Sequence, residues 1–281
     1  MNTLFNFFWN LAPNVRLILR NKTSQSRKEL LFIYLKVKFK QLLFIDILKQ
    51  NISYEKIFEF KIHFFDYRTF VFLFEEHFIN NEYYFNVKVS CPLVIDCGAN
   101  IGMALIFFKK LYPNSRIIAF EPDKRTFEKL KKNVEINKLK NIKLFNKAVM
   151  NSEGTVNFYY DPSNPGSLSM SIEKKRLPGV CERVDSTLLS NYIEERVDFI
   201  KMDIEGAEFS VIQELTNQNK LKLVNEIIIE YHHHIEPEEN RFSKILKILE
   251  DNGFGYQINA FSKIPFCKKE FQDILIYGYR E

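Results

Sequence analysis

An alternation of buried-strand and helix patterns begins near residue 93, runs almost to the last residue, and restricts the fold more than any other feature. "LVIDCG" is an apolar run of strand length, and "IGMALIFFKKLYP" continues with helical spacing until Pro113 stops it. "SRIIAFEP" reads as a second strand, "DKRTFEKLKKNVEINK" as a helix opened by Asp123, and "NIKLFNKAV" as a third strand. After a polar stretch come "VDFIKMDIEG" as a strand, "AEFSVIQELTNQ" as a helix, "VNEIIIEYH" as a strand and "PEENRFSKILKILEDNGF" as a helix closed by Gly253. Apolar strands separated by helices predict an α/β fold whose mainly parallel sheet is covered on both faces. The last two runs, "YQINAF" and "DILIYGYR", have no helix between them and predict an antiparallel pair at one edge.

The rhythm sets the domain organisation: an N-terminal basic, aromatic-rich extension and cap over residues 1–88, and a main domain over 89–281. Within the main domain, residues 150–192 hold three prolines and many small polar residues. They read as a short hairpin and a substrate-lid loop, with Ser167 and Ser169 placed to contact an acceptor. "FFDYRTFVFLFEEHFINNEYYF", ahead of the sheet, reads as a helix or a strand pair covering one end.

The first 50 residues carry nine Lys and Arg against two acids, a net of +7, so the remainder of this +5 chain nets −2. Two readings of that end stand side by side. In one, its helices pack an apolar stripe on the main domain and point Lys at water. In the other, the basic face makes peripheral contact with an anionic membrane or an acidic partner. No apolar run is long enough to span a bilayer and no secretory leader is recognisable, which predicts a cytoplasmic or membrane-peripheral protein. No nucleic-acid-binding motif accompanies the basic end, so no nucleic-acid partner is expected. Cys91, Cys97, Cys181 and Cys267 show neither metal-type nor disulfide-type spacing, as in a reducing compartment. The oligomeric state is not legible.

Ligands of open α/β sheets collect beyond the carboxyl ends of the strands, where strand order reverses. Asp96 and the turn from Gly98 to Gly102 stand at such an end if "LVIDCG" is the central strand. The glycines let backbone approach a ligand, and the next helix offers N–H groups. The dinucleotide fingerprint is absent, since Gly98 is followed by Ala99, Asn100 and Ile101 before Gly102. Asp96 suits an ammonium better than a pyrophosphate, and Glu121 at the end of the second strand suits two ribose hydroxyls. A ribose and an ammonium without phosphate describe S-adenosylmethionine. The alternative reading is a tight strand-to-helix connection with Glu121 helping to start a helix.

"VIDCGANIGMALIFF", "AFEPD", "NKAV", "KMDIEGAE" and "IIIEYH", in that order, resemble the FkbM family of S-adenosylmethionine-dependent methyltransferases over about residues 92–255. "VCERVDSTLLSNYI" is similar to the stretch that precedes the fourth motif, with Ser190 near the place of an expected acid. The resemblance implies the class I (Rossmann-like) methyltransferase fold, a seven-stranded three-layer sandwich with a reversed last hairpin. It also implies methylation of a hydroxyl, often on a sugar. Carried over by motif, Asp96, Gly98, Asn100 and Gly102 cradle the methionine part of the cofactor, Glu121 binds its ribose, and Asn146 and Ala148 flank the adenine. Ala99 and Pro122 complete the implied cofactor set.

A sugar hydroxyl needs a general base, a divalent metal, or both, before it attacks a methyl group. "KMDIEGAE" ends one strand with Asp203 and Glu205, and "IEYHHH" ends another with Glu230 and His232 on one face and His233 on the other. If the two strands are neighbours, these four residues form the catalytic set. Asp203, Glu230 and His232 could also hold magnesium, manganese or iron. Equally open is a structural role, with Asp203 and Glu205 capping a helix, Lys201 pairing with a carboxylate and His232, His233 and His234 forming a solvated strand end. The resulting expectation is O-methylation of a sugar, in a nucleotide-linked precursor or a bacterial capsular or surface glycan, with a small-molecule or glycan acceptor as partner. The rival readings are a non-catalytic cofactor-binding partner protein and a metal-dependent hydrolase.

Overall fold

The computed structural model describes residues 2–21, 25–177, 179–235, 241–260 and 270–280, and for residues 2–10 the backbone only. Cys267 and the start of the last predicted helix, residues 237–240, lie outside the described residues. Cys91, Cys97 and Cys181 are free thiols. The chain divides into two compact units, the first made of Met1–Tyr84, Ile101–Pro113 and Lys129–Leu139, the second of Phe85–Asn100, Asn114–Glu128 and Lys140–Glu281. Two segments that the sequence assigns to the main domain therefore belong with the N-terminal unit.

The first unit opens with α1 (Asn2–Arg20) and α2 (Arg27–Lys40), the latter capped by Ser26 and prolonged by a π-helical stretch, Gln41–Ile47. A hairpin of β1 (Tyr54–Ile57) and β2 (Phe60–His63) follows, then α3 (Tyr67–Phe74), where Asp66 accepts a hydrogen bond from the Thr69 amide. The aromatic run is thus a helix, with Phe64, Phe70, Phe74 and Phe78 stacked in series. α2 buries Leu30, Ile33, Tyr34 and Val37, as a helix with one packed face should. The opposite face departs from expectation. Lys36 and Lys40 turn to Glu55 and Lys38 to Glu75, while Phe32, Leu35 and Phe39 face outward.

The rest of this unit is α4 (Met103–Leu111) and the later part of α5 (Lys124–Ile136). Asn133 and Asn137, one turn apart, each exchange two hydrogen bonds with backbone of β2. Asn133 takes the His63 N–H and gives to its carbonyl at 2.8 and 2.9 Å, and Asn137 does the same at Lys61, both at 2.7 Å. Two amides, one on α5 and one just past its end, thereby stand in for a strand along the free edge of the hairpin.

The second unit carries a seven-stranded sheet of β3 (Leu93–Cys97), β4 (Arg116–Phe120), β5 (Ile142–Phe145), β9 (Val197–Met202), β10 (Val224–His233), β11 (Gly255–Ala260) and β12 (Gln272–Tyr279). Their order is β11-β12-β10-β9-β3-β4-β5. The first five in chain order are parallel, and β12 runs antiparallel between β10 and β11. This is the seven-stranded α/β fold that the resemblance implies, with the final hairpin reversed as expected. On one face Ile95, Ile200, Ile227 and Ile229 pack with Val211, Ile212 and Leu215 of α6 (Glu208–Asn217) and with Ile245 and Leu249 of α7 (Phe242–Asp251). Each such fully buried side chain contributes about 1.5–3 kcal/mol.

Two local expectations are corrected. "NIKLFNKAV" is broken after Phe145, because the Asn146 amide donates to the carbonyls of Glu121 and Pro122 at 2.8 and 2.9 Å and turns the chain aside. Its end, β6 (Ala148–Met150), joins a separate sheet with β7 (Gly154–Tyr160) and β8 (Val180–Leu188) in the order β6-β8-β7. Much of residues 150–192 is therefore strand, and the irregular segment narrows to the excursion between β7 and β8.

Candidate active site

Chain order runs outward from β3 through β4 to β5 and then returns to β9 on its other side, so the reversal of strand order lies between β3 and β9. Asp96 and Lys201 are register partners across that seam. The two strand ends close on each other because Gly98 has no side chain. Its φ is +87°, and a Cβ there would stand 1.8 Å from the Asp203 carbonyl oxygen. The amides of Gly98 and Ala99 both donate to Phe120 O, at 3.1 and 2.8 Å, which locks the turn onto β4.

Asp96 is wholly buried, and the ammonium beside it belongs to the protein. Lys201 Nζ lies 3.5 Å from its carboxylate, donates to Gly98 O at 2.7 Å and reaches Asp203 Oδ2 at 3.3 Å. Burial opposes the ammonium charge, but Asp203, Asp96 and Glu230 outweigh it and hold the Lys201 proton above its usual value. The pairing that the sequence left open for Lys201 is thus realised, with Asp96 and with Asp203.

Glu121 is buried at the end of β4 and accepts hydrogen bonds from the amides of Asn100 and Asp123, both at 2.9 Å. Burial, with the charge of Asp123, pushes its carboxyl up to about 8 against those two amides. Pro122 and Asn146 meet at the same strand end through the Asn146 amide. Ala148 instead packs into the core of the small sheet with Phe158, Met170 and Val184. Gly102 belongs to the first unit, with a φ of +90° and Leu130 2.6 Å from its would-be Cβ.

At the ends of β9 and β10 a buried imidazole is ringed by carboxylates. His232 Nδ1 meets Glu208 Oε1 at 2.9 Å, while Nε2 faces Glu205 Oε2 at 3.2 Å and Asp203 Oδ1 and Asp273 Oδ1 at 3.8 Å each. Burial alone would lower the imidazole, but Glu208 and Glu205 outweigh it and raise it well above its ordinary value. Glu205 sits at φ +52°, and its carboxylate is held by Arg176 Nε at 2.9 Å while its carbonyl accepts from Ser171 Oγ at 2.5 Å. Asp203 and Glu205 do not cap α6. Glu208 itself reaches back to the Gly206 amide at 2.9 Å.

The structure brings Asp203, Glu205, Glu230 and His232 together, with His232 and Glu230 on one face as alternation requires. One carboxylate oxygen from each of Asp203 and Glu205 and a nitrogen of His232 lie within 4.8 Å of one another, as do ligand atoms of Glu230, His232 and Asp273. Ser167 bonds the Ser169 amide within the loop, and it is Ser171 that reaches the cluster. Glu208, Asp273, Arg176 and Ser171 were not foreseen. Glu208 closes the "KMDIEGAE" motif and was within reach of a sequence reading. Asp273 enters only because β12 pairs antiparallel with β10 and sets it opposite His232.

The pattern of the methyltransferase FkbM domain matches residues 96–256. Methyltransferase sdnD of Sordaria araneosa is 28% identical over 215 residues, covering 65% of this chain and 81% of that protein. Methyltransferase 1 of Beauveria bassiana is 25% identical over 208 residues, covering 66% and 82%. The 2-O-methyltransferase NoeI of Sinorhizobium fredii is 27% identical over 148 residues, covering 43% of this chain and 56% of its own length.

Proposed function

Because this chain belongs to the FkbM methyltransferase family and is a methyltransferase, we propose that it moves the methyl group of S-adenosylmethionine to a hydroxyl oxygen of a sugar. The observation that carries this reading is the meeting of the glycine turn after β3 with an acid and histidine cluster at the ends of the neighbouring strands β9 and β10. A 2-O-methyltransferase among the relatives supports oxygen as the acceptor atom. The acceptors that fit best are nucleotide-linked sugars and bacterial surface-glycan precursors, met in the cytoplasm or at its membrane.

The residues present fit the cofactor. A buried carboxyl at Glu121, with the Asn100 and Pro122 backbone beside it, is what the hydroxyls of a nucleoside would meet. S-adenosylmethionine supplies a methyl group on a sulfonium that leaves in an in-line displacement. The chain's part is to align the hydroxyl and take its proton. Asp203 is the better base of the two considered, since both nitrogens of His232 are already engaged, Nδ1 by Glu208 and Nε2 by Glu205. Its side chain is also 27% exposed, against 1% for His232. Asp96 acts through Lys201, which ties Gly98 and Asp203 into one seam.

A second reading is favoured by the converging ligand atoms of Asp203, Glu205 and His232. A divalent ion there would take the position of the Nε2 proton, with Glu208 fixing the ring through Nδ1 as outer carboxylates do for ligating histidines. Labelled methyl transfer to a panel of nucleotide sugars, with and without EDTA, separates the readings. Transfer that ignores EDTA and is abolished in Asp203→Asn, with cofactor affinity within a few fold, supports the base. Transfer lost with EDTA and restored by magnesium, manganese or iron supports the ion. Wild-type turnover in Asp203→Asn removes both.

A further inference from the structure

α2 and the π-helical stretch after it carry apolar side chains on two opposite faces. The inner face is occupied within the first unit by Leu30, Ile33, Tyr34 and Val37. Outside, Phe32 is 69% exposed, Leu35 42% and Phe39 57%, and the line continues through Ile47 and Leu48. At 100° per residue, Phe32, Leu35 and Phe39 fall within an arc of about 60° directly away from the packed face. One exposed apolar residue is ordinary, whereas three aligned along about two turns of one helix, with Ile47 and Leu48 exposed beyond its end, mark a surface that meets something.

The charge around the stripe indicates what that is. The residues of the first unit hold 18 Lys and Arg against 9 acids, +9, and those of the second hold 22 against 26, −4, which together give the chain's +5. Lys28 and Lys49, both exposed, stand at the two ends of the stripe, and Arg16 and Arg20 are exposed on α1. Lys36, Lys38 and Lys40 flank it, their ammonium groups drawn to Glu55 and Glu75 and their stems left along the helix. A second copy of this chain would bring one +9 unit against another, and like charges oppose that contact. An anionic surface with an apolar interior satisfies both features at once. No helix among the described residues is long and apolar enough to cross a bilayer, so the contact is one of lying on the surface.

We infer that the outer face of α2, with Phe32, Leu35 and Phe39, helped by Ile47 and Leu48 beyond its end, docks the protein on an anionic lipid bilayer with the helix in the interface plane. The inference is independent of the methyl-transfer reading, and its test uses no substrate. Full-length protein is floated with vesicles of phosphatidylcholine alone and of phosphatidylcholine mixed with phosphatidylglycerol, at low and at high salt. Recovery with the mixed vesicles is expected to exceed that with phosphatidylcholine by at least about tenfold at low salt and to fall at high salt. Phe32→Ser with Phe39→Ser is expected to lower it by about tenfold or more with the melting temperature unchanged, and Leu35→Ser alone to lower it by less. No flotation with either vesicle, or equal recovery of wild type and the double variant, overturns the proposal. So does a concentration-dependent dimer in analytical ultracentrifugation that the same substitutions dissociate, since the face would then be covered by a second copy.

Discussion

At the scale of single residues, two positions at the β3 and β4 ends shape the candidate site. Gly98 is the more demanding. Alanine there must adopt a φ of +87° and overlap the Asp203 carbonyl, so the ends of β3 and β9 have to part. Gly98→Ala is expected to cost about 3 kcal/mol or more from backbone strain and overlap together, read as a lower urea midpoint, and to weaken cofactor binding in calorimetry. An unchanged midpoint would mean that the seam is looser than its geometry. Glu121 sets a pH dependence. Its carboxyl is raised from 4.5 to about 8, so the folded protein keeps a proton that the unfolded chain releases. That stability is fully present below about pH 4.5 and is lost as pH rises through about 8. Unfolding free energy should therefore fall between pH 5 and pH 9, and Glu121→Gln should flatten part of that fall. The same slope in both proteins would show that Glu121 is ionised throughout.

Between elements, the contacts that matter most are polar and were the least legible. The strands of the large sheet announce themselves as apolar runs because both of their faces are buried, and the glycine turn and the two acidic strand ends follow from them. Nothing in the periodicity of α5 says that Asn133 and Asn137 will serve as a strand edge for β2, because an exposed asparagine and a pairing one look alike in a helix pattern. The break of the third strand at Asn146 has the same origin: a side-chain amide bonding backbone overrides a continuous apolar pattern. The ring around His232 was half visible. Asp203, Glu205 and Glu230 lie at strand ends that a sequence can point to, whereas Asp273 and Arg176 arrive through long-range pairing and a loop. The outward phenylalanines of α2 escaped because a helix apolar on both faces shows no single stripe. Asn133→Ala removes the partner of the buried His63 amide and of the His63 and Ile101 carbonyls. It should cost about 3 kcal/mol in chemical denaturation, and Asn137→Ala less, since Lys61 is only half-buried. A cost below 1 kcal/mol for Asn133→Ala would show that water replaces the amide at about the net worth of one ordinary hydrogen bond.

Across the whole molecule, the chain passes between its two units repeatedly. A division at residue 88, natural from the sequence, treats the N-terminal part as an appendage to a self-sufficient domain. The compact units divide elsewhere, because α4 and the later part of α5 fall in the first unit. Phe107 of α4 lies edge-on to Phe78 and His77 with ring centroids 5.2 and 6.4 Å apart. Asn133 of α5 is tied to β2. Removing residues 1–84 would strip those helices of the aromatic series from Phe64 to Phe78 and leave Phe107 and the amide of Asn133 without these partners, although the whole matched span of 96–256 remains. The fragment 85–281 is therefore expected to lose cooperative thermal unfolding and to bind a hydrophobic dye as a loosely packed globule does, while the full chain melts sharply. A sharp melt of the fragment would instead establish the methyltransferase sheet as an independent domain, and the basic N-terminal unit as a module whose only service to it is where it holds the protein.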